Sequence, residues 1–275
     1  MITKARPGTS TRSLNDAIHN CLCFRALIGS FLNVCIYRIP IEKSVVTPSS
    51  SCPSCGEHIR FYDNIPILSY IILRGRCRNC KAEFSARYPF VEFINAVLYL
   101  VVLNRFGDGS PWVLLVYFFF VSTLIVIFFI DIDHQIIPNS ITFPGMPLAL
   151  ILGSTILPDP FLRENLLGIR DAGIGFLAGG GGFYLIAVSG KAILKKDAMG
   201  GGDIKMMAMV GGLLGWKGVI LTTFMGSLLG SIIGVSLILT KGREWGAKIP
   251  FGPYLALGAL VSLLWGEDIL TWYLY

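Results

Sequence analysis

Two carboxylate clusters stand at the ends of strongly apolar segments. One is Phe129-Ile130-Asp131-Ile132-Asp133-His134-Gln135-Ile136-Ile137-Pro138-Asn139, and the other is Gly200-Gly201-Gly202-Asp203-Ile204-Lys205. An Asp at membrane depth costs roughly 2.5–3.5 kcal/mol on insertion scales, so it normally has a partner or a function. Two clusters on separate segments suggest one joint site. Two neighbouring carboxylates cannot both ionise easily and share a proton. The ionised member can activate a water while the protonated member polarises a peptide carbonyl, which is amide hydrolysis without a covalent intermediate. A carboxylate-bound metal fits less well, because only His134 adds a ligand nearby.

Taken singly, each Asp also reads as a helix cap favoured by the helix dipole. Asp131 and Asp133 lie about 200° apart around a helix, so they cannot both face one point. Asp131 abuts the apolar run and should be the more desolvated; Asp133 is nearer the turn. The glycines before Asp203 remove side chains in front of a carboxylate, permitting unusual backbone angles and approach by an extended peptide. Pro138 should end one helix pattern and Asn139 should cap the next.

Cys52-Pro53-Ser54-Cys55 and Cys77-Arg78-Asn79-Cys80 form a second chemical group. Paired Cys-x-x-Cys knuckles at this spacing approach a four-cysteine zinc ribbon. The surrounding loop is too short and polar for a large core, so a structural Zn2+ would act as its staple. Disulfides are disfavoured if the loop faces a reducing compartment. His58 reads as an ordinary loop histidine, since four thiols already fill the shell. Cys21, Cys23 and Cys35 read as inert small apolar residues.

The elements that carry these groups are membrane segments. Of 275 residues, 53% are hydrophobic and 15% charged, against about 25% charged in soluble domains. The mean hydropathy is +0.66. Val113 to Ile130 has no charged residue and can span a hydrocarbon core of ~30 Å. The pattern predicts an all-α polytopic membrane protein with about eight transmembrane helices, at 18–37, 89–104, 112–130, 140–157, 171–189, 203–216, 218–240 and 250–265. Residues 38–88 read as a polar stretch. Asp16, His19, Asn20 and Arg25 interrupt the first segment, whose clean run from Ala26 to Tyr37 is about half a span. That run leads to Arg38-Ile39-Pro40, so a cleavable signal peptide is not expected. No convincing internal repeat is seen.

The net charge of +6 follows from loops rather than from nucleic-acid binding, and no nucleic-acid partner is expected. Residues 38–88 hold Arg38, Lys43, Arg60, Arg74, Arg76, Arg78, Lys81 and Arg87. Lys191, Lys195 and Lys196 follow in the 190–202 loop, and Lys241, Arg243 and Lys248 in the 241–249 loop. With alternating helices these loops share one side, which the positive-inside rule makes cytoplasmic. The other side has Arg105, Arg163, Arg170 and Lys217, with Lys4, Arg6 and Arg12 in the N-terminal tail. Both Asp clusters then face the cytoplasm.

The motifs together resemble the type IV prepilin peptidases (prepilin leader peptidase/N-methyltransferase), a family of GxGD-type intramembrane aspartyl proteases. The resemblance rests on Gly29-Ser30-Phe31-Leu32-Asn33-Val34 with Tyr37-Arg38-Ile39-Pro40, the two cysteine knuckles, and Arg87-Tyr88-Pro89 with Glu92. Asp131-Ile132-Asp133-His134 through Asn139, and Gly200 through Lys205, complete it. It implies catalytic aspartates at Asp131 and Asp203, with Gly200, Gly202, Asp133 and Lys205 in support. It implies a multi-pass protein of the bacterial inner membrane. Its substrates would be type IV prepilins or type II secretion pseudopilins with basic leader peptides. After cleavage the new N-terminal residue would be methylated with S-adenosylmethionine. On this reading residues 1–37 are a tail and an atypical first segment, 38–88 a cytoplasmic zinc-ribbon loop linked to methylation, and 89–275 the peptidase core. Family members usually begin with a cleaner first helix. No nucleotide fingerprint marks a methyl-donor pocket; Asn33, Arg87 and Glu92 are polar groups at that face, equally readable as helix-packing or loop-anchoring residues. The competing classes are an ion-coupled transporter using the aspartates as proton relays and a non-enzymatic zinc-ribbon assembly factor.

Overall fold

The computed structural model describes residues 28–162, 165–195, 199–241 and 250–274. Asp16, His19, Asn20, Cys21, Cys23, Arg25 and the start of the first apolar segment lie outside the described residues. So do the basic residues Lys4, Arg6, Arg12, Arg163, Lys196, Arg243 and Lys248.

The described chain is helical, with only isolated β-bridges. Its helices are α1 (Ile28–Ile41), α2 (Leu68–Ile72), α3 (Arg87–Phe106), α4 (Pro111–His134), α5 (Asn139–Thr155), α6 (Gly168–Leu194), α7 (Gly201–Lys241) and α8 (Gly252–Leu274). Among the described residues, α3, α4, α6, α7 and α8 are long and apolar enough to cross a membrane, and α1 is a shorter apolar helix. The two expected segments 203–216 and 218–240 are two helices that meet at a kink at Gly215, whose φ of 70° and ψ of −178° leave the helical region; they share the label α7. Several helix ends move outward from the hydropathy boundaries. α4 continues through His134 and closes on Gln135 in the left-handed conformation, with the Gln135 amide donating to the Asp131 carbonyl. α8 runs on to Leu274 past Glu267 and Asp268. Hydropathy reports where apolar side chains stop, whereas the backbone ladder stops where a cap or breaker intervenes.

The chain divides into two compact units. The first comprises the described residues up to Val34 with Val46–Tyr99. Here the two cysteine knuckles repeat one local structure 25 positions apart. The Cys52 amide donates to the Glu57 carbonyl and the Gly56 amide to the Cys52 carbonyl; the Cys77 amide donates to Ala82 and the Lys81 amide to Cys77. Gly56 and Lys81, each following the second cysteine of its knuckle, both have positive φ, 72° and 61°. Bridges pair Ser51 with His58 and Arg76 with Glu83. This repeat corrects the expectation of none: it is carried by backbone geometry, and only the cysteines repeat in residue type. Arg78 forks onto Asp63 at 2.8 and 2.6 Å, and Arg60 and Arg78 both lie over the Tyr62 ring. That guanidinium holds the Asp63 carboxyl below the usual range.

The second unit contains Cys35–Val45 and Leu100–Tyr275. Its hub is α7, which packs against α5, α6 and α8, while α4 packs against α8. The α6–α7 approach is a backbone contact: a Cβ on Gly175 would strike the Gly211 carbonyl, and a Cβ on Gly211 would strike that of Gly175. Small residues let membrane helices meet this closely, so dispersion and carbonyl contacts replace the absent hydrophobic drive. Beyond the break, Lys217 donates to Asp159 at 3.0 Å, fixing α7 to the α5–α6 connection.

Gly175→Val is expected to destabilise the purified protein by about 1–3 kcal/mol through overpacking. Gly181→Val, on the same helix but facing open space, serves as the control for helix propensity. Thermal unfolding in detergent measures both, and equal midpoints would contradict the close α6–α7 contact.

Candidate active site

Asp131 lies in the last turn of α4 and is 5% exposed. Asp133, two residues on, is exposed, as the helical rotation requires. Asp203 is the third residue of α7 and is part-buried. The two clusters approach one another within the second unit, because Ile137 packs against Gly202, next to Asp203, and against Gly252, which abuts the Asp131 carboxylate.

Three other segments build the walls. The Gly252 amide, at the first residue of α8, donates to the Asp131 carboxylate. An unpaired amide at a helix N-terminus is a natural partner for such an anion. A Cβ on Gly252 would lie 2.6 Å from Asp131 Oδ2 and 3.1 Å from Ile137 Cδ1. A Cβ on Gly202 would lie 2.7 Å from Ile137 Cβ. Ile137, in the α4–α5 turn, thus packs against the starts of both α7 and α8. The Gly200 amide donates to the Asp203 carboxylate, and the Asp203 amide donates back to the Gly200 carbonyl at 3.2 Å. Lys205 Nζ donates to Asn139 Oδ1 at 2.6 Å and lies 4.4 Å from the centroid of the Phe143 ring, tying α5 to α7.

Several sequence expectations change here. None of Gly200, Gly201 and Gly202 has positive φ; Gly202 is small because Ile137 sits against it, and Gly201 faces open space. Asn139 does not cap α5: Pro138 occupies the cap position, and the Asn139 side chain accepts from Lys205 instead. Sequence reasoning missed Gly252 and Ile137. The only signal for Gly252 is Pro250-Phe251-Gly252-Pro253, a helix-start pattern with no chemistry of its own.

In the first unit the Sγ atoms of Cys52, Cys55, Cys77 and Cys80 all lie within 4.8 Å of one another, and those of Cys52 and Cys80 are 3.7 Å apart. Four thiolates at about 2.3 Å from one tetrahedral ion would be separated by roughly 3.8 Å, so the cluster fits a metal. The amides of Cys55 and Ser54 favour the Cys52 thiolate and bring its pKa down to about 6. His58 stands apart, with its Nδ1 3.1 Å from Ser49 Oγ. Glu92 Oε2 accepts the Ile67 amide at 2.7 Å, and Asn33 Nδ2 donates to the Tyr88 carbonyl at 3.1 Å. These two side chains anchor a loop and a helix pair.

Fold and site together define a multi-pass helical membrane protein with a carboxylate pair at helix ends and a separate tetrathiolate cluster. Residues 118–235 match the type IV leader peptidase family, and residues 23–106 match the bacterial peptidase A24 N-terminal domain. The prepilin leader peptidase/N-methyltransferase of Aeromonas salmonicida (strain A449) is 36% identical over 280 residues, covering 91% of each chain. The enzyme of that name from Pseudomonas aeruginosa is 36% identical over 274 residues, covering 90% of each. That from Myxococcus xanthus is 38% identical over 219 residues, covering 78% of this chain and 62% of its own. No solved structure matches. The chain belongs to the type IV leader peptidase family.

Metal-free protein titrated with Co2+ is expected to develop the intense thiolate charge-transfer absorption of a tetrathiolate site, saturating at a single ion per chain. Cys77→Ser should weaken that absorption and the affinity. A spectrum unaffected by the substitution would contradict the site.

Proposed function

We propose that this chain is a membrane aspartyl endopeptidase of prepilins or pseudopilins, cutting their basic leader peptides at the cytoplasmic face of the bacterial inner membrane. It then N-methylates the new N-terminal residue. The observation that supports this reading is the packing of Ile137 against both Gly202, beside Asp203, and Gly252, beside Asp131, in a chain whose relatives carry the name prepilin leader peptidase/N-methyltransferase.

Asp131 and Asp203 share a proton. The ionised carboxylate takes a proton from the attacking water, and the protonated one donates to the scissile carbonyl oxygen as the tetrahedral species forms. Collapse breaks the C–N bond, with a proton returned to the leaving amine. The Gly252 amide holds one Asp131 oxygen in place, and Gly200 does the same for Asp203. Lys205 supports the site by fixing the α5 start, and Asp133 lies on the solvent side of α4. The concentration of Lys and Arg in residues 38–88 supports a cytoplasmic position for both aspartates.

Residues 38–88 form the methylation-linked loop, and 89–275 the peptidase core. Cys52, Cys55, Cys77 and Cys80 hold a structural Zn2+, which closes the two knuckles into one body. S-adenosylmethionine supplies a methyl group from its sulfonium when bound. Glu92 and Asn33 each anchor backbone within the first unit.

Co-expression with a candidate prepilin, followed by intact-mass analysis of the substrate, tests the proposal. Asp131→Asn and Asp203→Asn are each expected to lower cleavage by about 10²–10⁴-fold while the protein remains folded. Full cleavage by both variants would overturn the assignment. Gly252→Ala, which pushes a methyl group against Asp131, is expected to lower the rate by up to about 10²-fold with less effect on stability; a wild-type rate would remove Gly252 from the site. Mass analysis of wild-type product should also show the gain of one methyl group at the new N-terminus.

A further inference from the structure

Within the polar 38–88 stretch lies an apolar run, Ile65-Pro66-Ile67-Leu68-Ser69-Tyr70-Ile71-Ile72-Leu73, that neither the thiol cluster nor the carboxylate pair uses. Its helix, α2, is turned inside out for a soluble loop. Ser69 faces inward, buried, and donates to the Tyr62 carbonyl at 3.0 Å. Ile65, Leu68, Ile71 and Ile72 face outward at 45%, 51%, 65% and 65% exposure. Contiguous exposed apolar surface of this kind marks an interaction site.

The depth of this segment follows from one hydrogen bond. The Ile67 amide donates to Glu92 Oε2 at 2.7 Å, and Glu92 lies five residues into α3. The 20 residues of α3 are about 30 Å long, the thickness of the hydrocarbon core, which puts Arg87 near one edge. Glu92 is therefore about 7.5 Å along the axis from that edge. An interfacial helix lies roughly 5–10 Å into the headgroup–acyl boundary. Phe90 and Phe93, flanking Glu92 on α3, are themselves exposed at 54% and 57%, as lipid-facing residues at that level would be. The apolar run ends in exposed Arg74 and Arg76, with Arg76 also paired to Glu83. Apolar residues followed by arginines match the bilayer's own order of acyl chain and anionic headgroup.

We propose that residues 65–76 form an interfacial foot of the cysteine-bearing unit: Ile65, Leu68, Ile71 and Ile72 enter the acyl–headgroup boundary, and Arg74 meets anionic phospholipid headgroups. The foot holds the tetrathiolate cluster against the membrane surface and does not depend on the catalytic assignment. Glu92 is its positioning residue, fixing the depth at which the chain turns.

A photo-crosslinking amino acid in place of Ile71, and separately of Ile72, tests this in the full chain. The protein is reconstituted in nanodiscs of phosphatidylethanolamine and phosphatidylglycerol, irradiated and analysed by mass spectrometry. Positions 71 and 72 should give phospholipid adducts as readily as the control at Phe93, and the control at exposed Glu57 in the cysteine knuckle should give none. Adducts at 71 and 72 only to protein, whether this chain or a second copy, would overturn the proposal, as would no adduct where Phe93 gives one. Arg74→Glu should lower the lipid yield at position 71 in these nanodiscs but not in neutral phosphatidylcholine ones. An unchanged yield would remove the headgroup contact.

Discussion

Asp203 can stand beside Asp131 only because α7 comes within backbone distance of its neighbours. The helix carries Asp203 on its first turn, and its position is set by packing against α5, α6 and α8. In a bilayer no hydrophobic force presses helices together, so that position depends on close contact. Gly175 and Gly211 give α6 and α7 that contact. Lys205 and Asn139 repeat the constraint at the aspartate end, and Lys217 and Asp159 repeat it beyond the break at Gly215. A pair of carboxylates is costly to keep at helix ends, and a hub helix held at several points is what keeps them together.

The same economy of position governs the immediate surroundings of the pair. Gly252 is both the start of α8 and the amide that meets Asp131; Ile137 is both the α4–α5 turn and the packing partner of Gly202 and Gly252. Each of these residues shapes the site through backbone or volume. In the first unit the division is similar: thiols supply the chemistry of the knuckles, while paired amides, Arg78 and Asp63 supply their shape.

The groups that carry charge or could hold a metal were legible in the sequence because their residue types are conspicuous in an apolar chain. Asp131, Asp203 and the four cysteines announce themselves, and the 200° rotation already separated Asp131 from Asp133. The residues that position them were not legible. Gly252 looks like any glycine before a proline, and its role appears only when α8 is brought to α4. The end of α4 at His134 was hidden because apolar character stops four residues earlier. The cap expected at Asn139 failed because Lys205, 66 positions away, claims its side chain. The 25-residue repeat of the knuckles was hidden because hydrogen bonds and φ angles recur while most side chains do not. The apolar run at 65–73 was lost in a stretch judged polar by its arginines.

The proposed chemistry requires that Asp131 and Asp203 face one another in the folded membrane protein. A chain carrying Asp131→Cys and Asp203→Cys, treated in membranes with a short bifunctional maleimide and then digested, measures this directly. The expected product is a linked pair of peptides bearing positions 131 and 203. If both positions react with a monofunctional maleimide yet are never joined by the bifunctional one, the two carboxylates do not form one site.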